Sequence, residues 1–120
     1  LLVDDEEAVR SLATRALERL GFQVVTAADG REAVEIFRQR KDEVACVVLD
    51  LTMPHMNGEE CFRELRRVMS NVRVLLCSGY NEQDVVQRFA GKGLAGFIQK
   101  PYKINELRDK LRVLLEGKAS

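Results

Sequence analysis

The chain has 120 residues, 46% of them apolar and 32% charged, and its 19 basic side chains balance 19 acidic ones. That length supports one domain, residues 1–120, with a real hydrophobic core, and the composition disfavours disorder, a general polyanion-binding role and nucleic acid as a direct ligand. No signal-peptide pattern opens the chain and no apolar run approaches the roughly 20 residues that cross a bilayer, so the expectation is a cytoplasmic domain with no direct membrane insertion, open to tethering to a membrane-bound protein.

In chain order, short β-like runs alternate with longer helical patterns: LLV, a helix over 6–20, FQVVTA, a helix over 30–40, VACVVLD, a helix over 58–69, VRVLLC, a helix over 82–90, GFIQ, and a helix over 104–116. This is βα repeated five times. The opening run is short for a central strand, which commonly has about five residues, so the first strand is expected to be truncated at its N-terminus. Val9, Leu12, Ala13, Ala16, Leu17 and Leu20 form an apolar stripe on the first helix, with Glu7, Arg10, Ser11, Arg15 and Glu18 facing away. Val34 with Phe37, and Leu107 with Leu111 and Leu114, repeat at the same spacing in later helices and read as core packing.

VACVVLD is almost continuously apolar, as expected of a central parallel strand covered on both faces, and right-handed crossovers then give a three-layer, doubly wound α/β fold. Such folds bind ligands at the carboxyl ends of their strands. The three cysteines are odd in number and widely spaced, without CxxC or clustered histidine, so Cys46 and Cys77 read as small core hydrophobes. His55, the only histidine, reads as a loop residue, Met53 and Met56 as packing residues, and Pro54 and Gly58 as loop-shaping residues. The glycines match neither a Walker sequence nor a dinucleotide fingerprint.

Polar residues stand at the strand ends: Asp4 and Asp5 after LLV, Asp50 after VVL, Ser78 after VRVLLC and Lys100 after GFIQ. Three carboxylates brought together repel one another unless a cation sits among them, and an all-oxygen set suits Mg²⁺, with Mn²⁺ as a substitute. Lys100 and Ser78 then remain to hold an anion across the metal, such as a phosphoryl group. A strand-end Asp taken alone is often only a cap. Five coordinated positions make that account improbable.

VDDEEAV at 3–9, VVLDLTMPHMNG at 47–58, LLCSGY at 75–80 and GFIQKPY at 96–102 closely resemble the response-regulator receiver domain of two-component signalling, over essentially the whole chain. The style of its last third is similar to receivers at the carboxyl ends of bacterial hybrid sensor histidine kinases. The resemblance implies a flavodoxin-like (βα)5 fold with sheet order 2-1-3-4-5. It implies Asp50 as phosphoacceptor, Asp5 as direct Mg²⁺ ligand with the Thr52 carbonyl, and Asp4 acting through ordered water. It also makes Ser78 and Lys100 the groups that hold the phosphoryl oxygens, Thr52 and Tyr80 tuners of access, Ser78 and Phe97 the switch, and Pro101 a loop-shaping residue. Phe97 stands where many members carry Tyr.

The implied function is Mg²⁺-dependent acceptance of a phosphoryl group from a partner phosphohistidine, followed by autodephosphorylation and a conformational output. The implied partner is a histidine kinase dimerisation and phosphotransfer domain or a histidine phosphotransfer protein, with an output domain in a longer parent chain; the candidate partner surface is the face of the fourth helix, fifth strand and fifth helix, over 82–90 and 102–114, and phosphotransfer partners of the family also dock beside the first helix and the site. Such a domain catalyses its own phosphorylation without being a conventional turnover enzyme. Two alternatives stand beside this reading: a pseudo-receiver that only binds protein, and an Asp-nucleophile phosphatase of the haloacid-dehalogenase type. The second needs an Asp where Thr52 stands, and the first usually lacks one of the acids or the lysine.

Overall fold

The computed structural model describes residues 1–51, 58–79, 83, 85, 87, 89, 94–100 and 102–116. Among them are strands β1 (Leu2–Val3), β2 (Thr26–Ala27), β3 (Val47–Asp50), β4 (Val74–Ser78) and β5 (Gly96–Gln99), and helices α1 (Glu7–Arg19), α2 (Gly30–Arg40), α3 (Gly58–Val68) and α4 (Ile104–Glu116). The strands form one sheet in the order β2-β1-β3-β4-β5, with every pairing parallel. This is the doubly wound, flavodoxin-like architecture with the 2-1-3-4-5 order. Between β4 and β5, Gln83, Val85 and Gln87 are helical and Phe89 lies in a turn; the other residues of the helix expected over 82–90 lie outside the described residues.

Alternation along each strand divides the core into two layers. Val3, Val47, Leu49, Val74, Leu76 and Phe97 face α2 and α3, where Phe37 and Phe62 are fully buried. Leu2, Val48, Leu75, Cys77 and Ile98 face the other way, toward Ala13 and Leu17 of α1 and Leu107 and Leu111 of α4. Each fully buried leucine or phenylalanine stabilises the fold by about 1.5–3 kcal/mol, so strands with two buried faces hold the sheet against slippage.

Local signals set the element ends. Asp29 accepts a hydrogen bond from the Glu32 N–H at 2.9 Å and so caps α2. α1 ends in a Schellman turn: Gly21, at φ 97°, donates to the Glu18 carbonyl and Phe22 donates to the Leu17 carbonyl.

Three expectations change. The FQVVTA run gives a strand only at Thr26–Ala27, because among the described residues it ladders with β1 alone, with Leu2 opposite Thr26 and Val3 opposite Ala27. The α1 stripe is narrower than the sequence suggested: Ala13 and Leu17 are buried, but Leu12 is 67% and Leu20 39% exposed. Arg10 does not simply face solvent, since its guanidinium turns back onto the end of β1.

Candidate functional site

Parallel pairing brings the carboxyl ends of β1, β3, β4 and β5 to one edge. Val3 stands opposite Leu49, Asp50 opposite Cys77 and Ser78 opposite Gln99, so the next residues of neighbouring strands converge. Asp4, Asp50 and Ser78 are the buried polar residues there, at 3%, 5% and 2% exposure. Lys100, immediately after β5, reaches across the edge: its Nζ donates to Asp4 Oδ2 at 2.9 Å and lies 3.3 Å from Asp50 Oδ2. The Lys100 N–H donates to the Ser78 carbonyl at 2.7 Å, which ties the lysine's backbone to β4.

Burial pulls the Lys100 ammonium toward lower pKa, but the hydrogen bond it donates to Asp4 and the charges of Asp50 and Asp4 outweigh it, and the net shift is upward. Lys100 is therefore a fixed cation at neutral pH. Cys77, beside Asp50, is pushed up to about 12 by burial, with Lys100 opposing and the two carboxylates adding to the shift. Cys61 is likewise pushed to about 12 by burial, with Asp29 and Glu64 adding to it. Neither thiol is a nucleophile at neutral pH, in keeping with the core-hydrophobe reading of Cys77.

One carboxylate oxygen from each of Asp4, Asp5 and Asp50 lies within 4.8 Å of the others. The three carboxylates outnumber the one ammonium that pairs with them, and a divalent cation offsets the excess. The acids are not equivalent. Asp4 is committed to the protein: its N–H donates to the Ala27 carbonyl, Oδ1 accepts from the Glu6 N–H at 3.0 Å, Oδ2 accepts from Lys100, and its carbonyl accepts from Arg10 Nη1 at 2.7 Å. Asp5 is exposed and has no side-chain hydrogen bond or ion pair among the described residues. Asp5 is thus the acid most available to a hard cation, and the oxygen-only donor set fits Mg²⁺.

Gly58, at the start of α3, packs directly behind Asp50. Its N–H donates to the Leu51 carbonyl at 2.7 Å, and a Cβ there would lie 2.5 Å from Leu51 Cα and 2.8 Å from the Asp50 carbonyl oxygen. Phe97 is buried in the same core cluster as Val85 and Phe89. Thr52, Pro54, Tyr80 and Pro101, and with them Met53, His55 and Met56, lie outside the described residues.

The structure brings Asp4, Asp50, Ser78 and Lys100, with Asp5 beside them, to one strand edge as the sequence suggested, whereas the sequence did not single out Arg10 or the close approach at Gly58. Helical side chains lean toward the N-terminus of their helix, so an Arg in the first turns of α1 was placed to reach back to the strand end.

A shallow groove adjoins the site between α1 and the start of α4. Val9, Leu12 and Ala13 line one side, Tyr102 and Ile104 the other, and Lys100 and Glu6 stand at its rim. Burial pushes the Tyr102 phenol up to about 12, so that side of the groove is uncharged.

The family pattern described as response regulator receiver domain matches residues 1–112. The chain is 38% identical over 116 residues to the sensor kinase CckA of Brucella abortus, an alignment covering 97% of this chain and 12% of the kinase. It is 30% identical over 120 residues to sporulation initiation phosphotransferase F of Bacillus subtilis, covering 100% of this chain and 95% of that protein. Among solved structures, a chain of the CheX-CheY-BeF3-Mg²⁺ complex from Borrelia burgdorferi superposes with a TM-score of 0.89 at 30% identity, over 94% of this chain and 85% of that one. Among the described residues no helix is long and apolar enough to cross a membrane.

Proposed function

The chain belongs to the response-regulator receiver family and is a phosphoacceptor of two-component signalling, and from that premise we propose that Asp50 is the residue that takes the phosphoryl group, with Asp5 and Lys100 as its principal helpers. The observation that carries this assignment is the single ammonium of Lys100 shared between Asp4 and Asp50 at the strand edge, beside an uncommitted Asp5.

In this reading a phosphorylated histidine of a partner places its phosphorus in line with an Asp50 carboxylate oxygen. The N–P bond breaks as the O–P bond forms, the histidine keeps the electron pair, and Asp50 becomes an acyl phosphate. Lys100 moves from Asp50 onto a phosphoryl oxygen while keeping Asp4, and Ser78 donates to another. Asp5 and Asp50, with the Thr52 carbonyl, would hold Mg²⁺, which supplies charge neutralisation at the phosphoryl oxygens. Water attacking the same phosphorus returns Asp50 and releases phosphate, at a rate tuned by Thr52 and Tyr80. Movement of Ser78 toward the phosphoryl group, coupled to the packing of Phe97, is the proposed output.

The partner is a histidine kinase phosphotransfer domain or a histidine phosphotransfer protein, and the α1 side of the site is its docking face. Leu12 supports this: it is a leucine 67% exposed, in an apolar groove that Lys100 also lines. We place the domain in the cytoplasm, within or beside a sensor kinase.

Intact-protein mass spectrometry after incubation with acetyl phosphate, with and without Mg²⁺, tests the assignment. One metal-dependent phosphoryl adduct that disappears in Asp50→Asn is the expected result. A normal adduct in Asp50→Asn overturns Asp50 as acceptor, and no adduct from either acetyl phosphate or a phosphohistidine donor supports a module that only binds protein.

A further inference from the structure

The strand-to-helix turn that carries the acidic pair is held without an ordinary helix cap. Glu6 occupies the N-cap position of α1 with extended backbone and no side-chain cap bond. The turn is held through Asp4 instead. The Asp4 carboxylate accepts the Glu6 N–H, and Arg10 reaches back along the helix to put Nη1 2.7 Å from the Asp4 carbonyl oxygen. The Arg10 N–H also donates to the Glu6 carbonyl, so one residue bonds both sides of the turn.

We infer that Arg10 is a positioning residue for the acidic pair: its hydrogen bond to the Asp4 carbonyl fixes the peptide plane between Asp4 and Asp5 and so presents the Asp5 carboxylate to the cation, an inference that rests on the metal-dependent phosphoryl-transfer reading of the site. The bond acts in two ways. It occupies the Asp4 carbonyl, which would otherwise compete as an oxygen donor to a cation. It also fixes the direction in which the chain leaves β1, on which the separation of the Asp4 and Asp5 carboxylates depends. A charge-assisted bond of this length, on a partly buried carbonyl, is among the stronger neutral-to-ion contacts a side chain makes. Groups that orient the ligands of a metal typically change its affinity by about 10–100-fold when removed.

The test uses the 120-residue chain, Arg10→Met, which keeps the aliphatic stem and removes the donors, and Arg10→Lys, which keeps one charged donor. Mg²⁺ affinity is measured by titration of backbone amide resonances, acetyl phosphate labelling is followed against Mg²⁺ concentration, and melting is followed in EDTA. Arg10→Met is expected to weaken Mg²⁺ binding about tenfold, raising the Mg²⁺ concentration for half-maximal labelling by the same factor while the rate at saturating Mg²⁺ stays near native, with Arg10→Lys intermediate. Native-like Mg²⁺ affinity in Arg10→Met overturns the inference. A lowered labelling plateau with equal losses of melting temperature in both variants also overturns it, because that marks general structural support. Failure of the native chain to bind Mg²⁺ overturns the metal reading itself, a result distinct from a native chain that binds and a variant that does not differ.

Discussion

Lys100 is the residue on which the charge balance of the site depends, because it is the ammonium shared by two buried carboxylates. Replacing it by Met leaves Asp4 and Asp50 facing each other without that cation. Loss of a hydrogen-bonded charge of this kind costs about 1–3 kcal/mol, and urea denaturation at pH 7 in EDTA should show it. The pH dependence follows from the upward shift of the ammonium. A group whose folded-state pKa lies above its unfolded value stabilises fully below the unfolded value, about 10.5, and loses that contribution as pH rises through the folded one. The gap between native and Lys100→Met should therefore be constant from pH 7 to 10 and close above that; a gap that closes below pH 9 contradicts the pairing. Cys77 gives a second readout at this scale. With its thiol near 12 and buried, it should not react with a thiol reagent at pH 8 in the folded chain and should react promptly in urea. The convergence of the five polar residues was legible in the sequence because they stand where apolar runs end. Arg10 was not, because its partner is a backbone carbonyl and its place in the first turns of α1 is the one signal the sequence carries for it.

At the scale of elements, the start of α3 and the start of α2 offer a contrast. Gly58→Ala drives a methyl into the Asp50–Leu51 backbone, and backbone atoms do not yield as a flexible side chain does. Overpacking at this position should cost about 1–3 kcal/mol in urea denaturation and should also slow acetyl phosphate labelling, because the displaced atoms carry Asp50. Asp29→Ala removes the cap of α2 and should cost about 1 kcal/mol with the labelling rate unchanged. Equal labelling in the two variants would mean that Gly58 supports the fold and not the site. Helix positions were legible to within one residue at each described end because helical periodicity and capping residues are local. Strand lengths were less so: β2 depends on what β1 offers as a ladder, and hydrophobicity alone does not set how far two strands pair. The exposed Leu12 belongs to the same class, since an apolar residue on an amphipathic helix does not reveal which neighbour fails to cover it.

For the molecule as a whole, the acidic cluster is a local charge imbalance within a chain of zero formal net charge. Folding brings the three carboxylates together, and the unfolded chain keeps them apart, so a divalent cation that binds the cluster binds the native state almost exclusively. By mass action, Mg²⁺ at 100 times its dissociation constant adds about 2.7 kcal/mol to stability, which for a chain of this size is a rise in melting temperature of roughly 10 °C. Asp5→Ala should remove most of that rise. It should barely change the melting point in EDTA, because the Asp5 side chain is exposed and has no partner among the described residues. Asp4→Ala should do the reverse, lowering the metal-free melting point by removing one of the two carboxylate partners of Lys100 and the acceptor of the Glu6 N–H while leaving part of the Mg²⁺ effect. The two substitutions separate a ligand from a scaffold within one acidic pair. Identical responses to Mg²⁺ in both would show that the cation is held by general charge and not by the geometry at the end of β1.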